Sequence, residues 1–255
     1  MSLANLDWSI MLPALMAGLL VLATHVPLGQ QVLARGIVFI DLAIAQVAGL
    51  GVIVADSFGW EPRGIQVQIA ACAAALLGAL LLTWTERRWP AMQEALIGLL
   101  FVAAASVELL ILANNPHGGE HLKDLLVGQI LWVSPRALIP IAVLYAAVLG
   151  LWFTLRERLG TIGFYFLFAV TVTQSVQLVG IYLVFGSLIV PALAARFFSP
   201  SRRLAIGYGV GILGYILGLV ASSLFDLPTG AVVVCALVAV FITFVGLFAT
   251  PAEVL

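Results

Sequence analysis

Long apolar runs follow one another along this chain and are separated by short polar stretches. Because a helix needs about 20 apolar residues to cross a bilayer, most of these runs predict one transmembrane helix each. Strands of a membrane barrel would instead alternate apolar and polar residues over about ten positions. The pattern therefore predicts an all-α polytopic protein with eight or nine transmembrane helices. The runs lie near 9–26, 36–56, 66–85, 92–113, 137–155, 163–195, 204–222 and 229–250.

The sixth run, 163–195, is too long for one ordinary crossing. As a single helix it would extend about 50 Å at 1.5 Å per residue, whereas the hydrocarbon core is about 30 Å thick. Gly180 stands near its middle, just after the polar Gln174 and Gln177. Lipid cannot replace the backbone hydrogen bonds that a break removes, so a broken segment must be shielded by protein or line a cavity. The run is either one long tilted helix or two shorter helices, and its polar residues either join helices or line a cavity. We expect a broken or re-entrant helix near Gly180 and a transport path lined by Gln174, Gln177 and Gly180.

The composition supports a single transmembrane domain over residues 1–255. The chain is 63% hydrophobic and only 9% charged, whereas soluble domains carry about 25% charged residues. A net charge of -1 provides no basic field for nucleic acid. Cys72 and Cys235 both lie in apolar runs, so no disulfide framework is expected, and nothing indicates a covalently bound cofactor.

Arginine placement predicts the orientation, because loops on the cytoplasmic side of a membrane carry an excess of Lys and Arg. Basic residues near 35, 87–88, 156–158 and 196–203 are expected inside. The N-terminus then lies outside, and an inside C-terminus requires nine crossings. This rule favours dividing 163–195 into two helices. His25, just before the end of the first run, is expected at the membrane interface.

Three polar residues inside apolar runs are candidates for chemistry. Asp41 and Gln46 lie in the second run, and Glu108 lies in the fourth. Carboxylates within a membrane are costly and usually face protein or water, which makes these residues candidates for a transport path and Asp41 a candidate metal ligand. The alternative for Asp41 is a helix cap or a side chain that snorkels to the interface.

Residues 117–121 spell H-x-x-E-H, a zinc-peptidase signature. That chemistry needs both histidines on one helical face, and the glycines at 118 and 119 argue against a helix. An outer metal-collecting loop formed by His117, Glu120 and His121 is the better functional interpretation, since these ligand types suit divalent metals. The preferred interpretation is a hydrated polar loop without a chemical role, and the least favoured is a membrane-embedded enzyme.

The chain has no G-x-x-x-x-G-K-[ST] loop, and its single lysine, Lys123, is expected outside. If transport uses ATP, a separate chain must therefore bind and hydrolyse it. The strongest candidate for a docking site on the inner face is the loop after Pro191. Its alternative is an ordinary basic inner loop. The predicted docking residues are Ala194, Arg196, Arg202 and Arg203.

Four stretches follow one another in an informative order, at 28–51, 124–134, 179–195 and 222–231. The second reads D-L-L-V-G-Q-I-L-W-V-S, and the third contains L-I-V-P-A. Together they resemble the permease subunits of bacterial ABC importers for zinc, manganese and iron. The second differs from that family's D-L-x-x-x-x-F-G-x-I-L-x-V-S pattern in its shorter spacing before the glycine.

The chain departs from the family pattern in its second run. The family carries G-D-A-x-S-H-A there, with Asp and His four residues apart on one helix face. The aligned positions are Leu42 and Gln46, and an aspartate stands one residue early, at Asp41. Asp41 and Gln46 diverge by about 140° around a helix. The usual pair is thus absent, and the substrate stays open between zinc or manganese, a metal chelate and another small solute.

The resemblance implies an importer subunit in the bacterial plasma (inner) membrane that performs no bond chemistry itself. It implies two copies around a central path, an ABC ATPase that binds ATP on the inner face, and a periplasmic or lipid-anchored substrate-binding protein outside. The alternative from the residues is a secondary transporter with Asp41 and Glu108 as proton carriers.

Overall fold

The protein is almost entirely helical. The computed structural model describes residues 8–61, 64–113 and 118–248, and within these ranges it contains no strand. Short 3₁₀ turns at Pro90–Met92 and Ile130–Trp132 separate some of the helices. The helices are α1 Trp8–Arg35, α2 Ile40–Ser57, α3 Ile65–Arg88, α4 Gln93–Leu112, α5 Gly118–Val127, α6 Pro135–Val179, α7 Ile181–Arg196, α8 Arg203–Phe225 and α9 Thr229–Phe248.

The predicted all-α polytopic class is confirmed. Within the described ranges, eight segments are long and apolar enough to cross a membrane. Helix α6 supplies two of them, Pro135–Leu155 and Arg158–Val179, because it kinks at Gly160 (φ 56°, ψ -159°). The apolar helix α7 is shorter than these segments, so the ninth crossing that the arginine pattern requires stays a prediction.

The predicted break at Gly180 is also confirmed. Helix α6 ends at Val179, α7 begins at Ile181, and Gly180 between them has φ 83° and ψ 162°. Essentially only glycine adopts this region, because any side chain would clash with its own backbone. The 163–195 run is therefore two helices joined at one residue.

Contacts divide the chain into two compact units. Unit 1 comprises the described residues of Met1–Arg35, Leu126–Ala146 and Leu178–Leu255, and unit 2 comprises those of Gly36–Leu125 and Ala147–Gln177. The expectation of one transmembrane domain stays a prediction.

Small residues let the helices of unit 1 pack closely. In this unit α7 packs against α1, α8 and α9, and α8 packs against α9. Gly214 and Gly218 of α8 face Leu237 and Val233 of α9, where a Cβ would find no room. Such close approach of backbones stabilises helix pairs in lipid, where apolar burial gives little driving force.

His25 corrects the sequence expectation for α1. The helix continues past the predicted end of the run to Arg35, and His25 is fully buried rather than interfacial. Its Nδ1 lies 2.9 Å from the carbonyl oxygen of Val21, one turn back along the same helix. That bond satisfies one ring nitrogen within the helix, which lets a polar residue stay inside the span.

A buried amide connects three segments of unit 2. Gln93, at the start of α4, donates from Nε2 to the Leu82 carbonyl oxygen (2.9 Å) and to the Tyr165 hydroxyl (3.2 Å). Its Oε1 accepts a 2.9 Å hydrogen bond from the Thr85 hydroxyl. These bonds hold the end of α3, the start of α4 and the second half of α6 in one arrangement, and α2 packs against α3 and α4 beside them.

Candidate transport site

Gln46 and Glu108 form a buried polar pair in unit 2. They are 3% and 1% exposed, and Gln46 Nε2 donates a hydrogen bond to Glu108 Oε2. Glu108 Oε1 has no hydrogen-bond partner in the part of the chain that the structure describes. A Cβ added at Gly49, one turn after Gln46, would lie 2.9 Å from that oxygen, so the glycine leaves room for the carboxyl group. An ionisable group held at this depth is a candidate for a functional role.

The sequence named Gln46 and Glu108 separately but gave no sign that they meet. They are 62 positions apart and stand on helices α2 and α4. No spacing rule within a helix links residues at such a distance, so only the packing of α2 against α4 reveals the pair.

Asp41 lies in the first turn of α2 and is 1% exposed. The second apolar run was placed at 36–56, but α2 begins only at Ile40, so Asp41 lies closer to the helix end than the run indicated. Neither carboxylate oxygen has a hydrogen-bond partner among the described residues. The start of a helix favours a negative charge, so this position fits a capping role as well as a role in the path.

The polar cluster before Gly180 divides into two kinds of side chain. The hydroxyls of Thr171 and Ser175 donate to carbonyl oxygens one turn back in α6, at 2.7 and 2.9 Å, as hydroxyls in membrane helices often do. Gln174 and Gln177 are half-buried, and Gln177 Nε2 has no partner within the described ranges. Thr171 and Ser175 thus use their hydroxyls within their own helix, whereas the Thr173 hydroxyl and Gln177 Nε2 have no hydrogen-bond partner among the described residues.

The predicted path residues are distributed over both units. Asp41, Gln46, Gln174 and Gln177 belong to unit 2, and Gly180 belongs to unit 1. Of these, the structure places Gln46 in direct contact with another candidate, Glu108. Their role in transport stays a prediction.

Gly180 is buried in unit 1 and lies against Gly128, which follows α5. A Cβ added at Gly180 would lie 2.6 Å from the carbonyl carbon of Val127 and 2.8 Å from the Cα of Gly128. Gly128 itself has a positive φ of 70°. The break between α6 and α7 is therefore packed backbone against backbone, which shields it as a break in a membrane must be.

The predicted outer metal loop lies largely outside the described residues. His117 falls in a gap, and the side chains of Glu120 and His121 are likewise not described, so this prediction stays untested. The expectation against a helix was wrong, because α5 begins at Gly118. Among the described residues, no three His, Cys, Asp or Glu side chains are grouped so that they could hold a metal ion.

The residues predicted to dock an ATPase differ in exposure. Ala194 is fully buried against Val210 and Val240 in unit 1. Arg202 is exposed in the loop between α7 and α8. Arg196, also exposed, donates from Nη1 to the Leu33 carbonyl oxygen at 3.4 Å, and the half-buried Arg203 donates from Nε to the Phe198 carbonyl oxygen at 3.1 Å. Arg196 and Arg202 are thus the two exposed side chains among the four.

A small cavity of about 150 Å³ opens in unit 1 beside these arginines. It lies where the end of α1, the end of α7 and the start of α8 meet. The sequence did not single out Gln30 for this location, because nothing in the apolar pattern links the end of α1 to the α7–α8 loop. Its lining residues are Gln30, Leu33, Ala34, Ala192, Arg196 and Arg203.

Comparison with known proteins places these features in context. The family model described as the ABC 3 transport family matches residues 7–165 and 154–248. The high-affinity zinc uptake system membrane protein ZnuB of Haemophilus influenzae is 24% identical over 250 residues, which cover 89% of this chain and 94% of ZnuB.

Two solved structures share the fold. PsaBC from Streptococcus pneumoniae, solved in complex with a Fab, superposes with a TM-score of 0.75 at 20% sequence identity. The superposition covers 98% of this chain and 95% of the PsaBC chain. An inward-facing structure of an ABC transporter described as of metal-chelate type gives a TM-score of 0.74 at 17% sequence identity. This superposition covers 97% of this chain and 92% of the transporter chain. At these identities the likeness establishes the arrangement of helices and leaves the ligands open.

Proposed function

The chain belongs to the ABC 3 transport family, and we propose on this premise that it is the membrane-spanning subunit of an importer for divalent metal ions. The family model covers nearly the whole chain, and the relative ZnuB is a zinc uptake protein by name. The eight apolar segments of spanning length in the described part of the chain supply the membrane-spanning part of such an importer. Family membership favours this function over the proton-coupled secondary transporter.

The observation that carries the proposed path is the buried pair of Gln46 and Glu108. Burial of a carboxyl group in a membrane helix has a high cost in free energy, and an amide donor offsets only part of it. The free Oε1 of Glu108 offers an oxygen ligand of the kind that divalent cations accept. We assign the pair to the metal path, together with Asp41, Gln174, Gln177 and Gly180.

The partners follow from the same premise. Two copies of the chain would enclose the path, an ABC ATPase would hydrolyse ATP on the inner face, and a substrate-binding protein would deliver the solute outside. The exposed loop with Arg202, flanked by Arg196 and Arg203, is proposed as the ATPase contact. The buried Ala194 would act there only by supporting the end of α7.

A metal chelate is the second candidate substrate. One structural neighbour is described as a metal-chelate type transporter, and Gln46 occupies the position where the resembling permeases carry a histidine. A chelate brings its own ligands to the metal, so it requires fewer protein donors. The same uptake measurement distinguishes the two substrates if it is repeated with free and with chelated metal.

The test uses the full chain reconstituted into liposomes with an ABC ATPase subunit and a substrate-binding protein from the same organism. Radioactive zinc and manganese uptake is measured with and without ATP. Replacing Glu108→Gln keeps the size and permits an amide–amide pair, but it removes the carboxylate ligand. We expect uptake to fall by about tenfold or more, as for the loss of one charged ligand, while the protein stays folded.

The matched control is Glu61→Gln, because Glu61 is exposed beyond the end of α2. It removes the same charge and should leave uptake unchanged. Failure of the wild-type complex to transport zinc, manganese or a chelate of either with ATP would refute the proposed function. Full uptake by Glu108→Gln would instead remove the buried pair from the path and leave the importer assignment in place.

A further inference from the structure

A narrow space lies beside the free oxygen of Glu108, at the point in α2 where Gly49 carries no side chain. A Cβ added at Gly49 would lie 2.9 Å from Glu108 Oε1 and 3.8 Å from Glu108 Cδ. A non-bonded carbon atom approaches an oxygen only to about 3.3 Å. On the side of the oxygen, the space is therefore slightly too small for a methyl group.

Leu125 of α5 closes this space on a second side. Its Cδ1 lies 3.7 Å from the same Cβ position, which is ordinary contact between carbon atoms. Gln46 stands three residues before Gly49, so both lie on the same face of α2. Glu108 is 1% exposed, so its free oxygen lies within the packing of unit 2 and not on the surface.

The oxygens at this site determine which ligand it accepts. Glu108 Oε1 has no hydrogen-bond partner in the described part of the chain, whereas Oε2 accepts a hydrogen bond from Gln46 Nε2. A carboxylate and an amide carbonyl are both oxygen ligands for divalent cations. Zinc lies about 2.0–2.2 Å from a carboxylate oxygen, about 1 Å closer than a carbon atom can approach. An ion without its own ligand shell therefore fits where a methyl group does not.

We propose that Gly49 and Leu125 restrict this site to a free divalent ion and exclude a chelated one. A chelate surrounds the metal with its own ligand atoms, and these would have to enter the space that is too small for a methyl carbon. A hydrated ion must lose its water on the side of Glu108 for the same reason. This selection rests on the proposed function, because the pair of Gln46 and Glu108 is assigned there to the metal path.

A site of this kind holds the ion weakly, as a transport path requires. An ion on such a path must be released as readily as it is accepted. Among the described residues, no three His, Cys, Asp or Glu side chains are grouped around one possible metal position. The Glu108 site therefore differs from a structural metal site, which surrounds its ion with four protein ligands.

The first test measures the binding of radioactive zinc to the purified full-length chain in detergent by equilibrium dialysis. Gly49→Ala places a methyl group in the space and retains the Glu108 carboxylate, and the higher helix propensity of alanine favours a folded variant. We expect the variant to lose one bound zinc per chain, or to bind that zinc at least about tenfold more weakly. Any zinc held elsewhere on the chain should be the same in both proteins.

Gly98→Ala is the matched control. Gly98 lies in α4, the helix that carries Glu108, and a Cβ there meets no atom within 4 Å. This variant should bind zinc like the wild type. Unchanged zinc binding by Gly49→Ala, or an equal loss in both variants, would overturn the proposal.

The second test compares free and chelated zinc on the wild-type chain. Zinc is buffered with nitrilotriacetate so that the free zinc concentration stays constant while the concentration of the complex rises. The amount of bound zinc should stay constant, because only the free ion enters the site. A rise in bound zinc that Glu108→Gln abolishes would place the chelate at Glu108 and contradict the proposed selection.

Neither measurement depends on transport. Failure of the reconstituted complex to take up metal would refute the proposed function, whereas zinc binding alone decides whether Gly49 and Leu125 select the free ion. The two failures are therefore distinguishable.

Discussion

Replacement of Gly180 by alanine tests the break between α6 and α7 most directly. Gly180 has φ 83° and ψ 162°, and alanine at this position would hold a strained backbone at a cost of about 1–3 kcal/mol. Its Cβ would lie 2.6 Å from the carbonyl carbon of Val127 and 2.8 Å from the Cα of Gly128. Since backbone atoms cannot rotate away, this overlap adds about 1–3 kcal/mol.

The two contributions together predict a loss of about 4 kcal/mol in the free energy of unfolding. For a protein of this size, each kcal/mol lowers the melting temperature by about 2–4 °C, so the expected decrease is on the order of 10 °C. Thermal unfolding of the purified chain in detergent, followed by the loss of the monodisperse peak in size-exclusion chromatography, measures this decrease.

Gly209→Ala is the matched control in the same unit. Gly209 lies within α8, and a Cβ there meets no atom within 4 Å, so the higher helix propensity of alanine should leave stability equal or slightly increased. A Gly180→Ala protein that melts within 2 °C of the wild type, by the same scaling, would refute the packed break and the path argument based on it.

Two further predictions concern the proposed importer. Asp41→Asn should reduce ATP-dependent metal uptake by about tenfold if Asp41 guides the ion. Asp226→Asn should leave uptake unchanged, because Asp226 is an exposed residue in a left-handed turn that asparagine also adopts. Equal uptake by both variants would leave Asp41 as a helix cap. Arg202→Glu should reduce the amount of ATPase that co-purifies with the chain while membrane insertion is preserved; unchanged co-purification would exclude the α7–α8 loop as the contact.

The helices were predictable from sequence because a bilayer imposes a simple requirement on them. Each crossing needs about 20 apolar residues, so the runs and the excess length of 163–195 are visible without coordinates. Hydropathy gave the wrong location for His25, a polar residue near the predicted end of the first run. His25 is buried within α1 and not at the interface, because its ring bonds to Val21 in its own helix, and hydropathy does not record such a bond.

The candidate site was predictable only in part. Costly residues such as Asp41 and Glu108 are conspicuous within apolar runs, so sequence identifies them. Their partners depend on how helices pack, and neither the contact of Gln46 with Glu108 nor the approach of Gln30 to Arg203 follows from any periodicity. The sequence divides the runs 137–155 and 163–195 by a polar stretch, and it gave no sign that one helix continues through this stretch with a kink at Gly160.

The length of α7 has a consequence for any solute that crosses near it. Its 16 residues span about 24 Å, some 6 Å less than the hydrocarbon thickness. Most of its residues are buried, so neighbouring helices rather than acyl chains cover the shortfall, and the bilayer need not thin around it. A solute that crosses beside α7 would therefore pass neighbouring helices, and not acyl chains, over the length that α7 lacks.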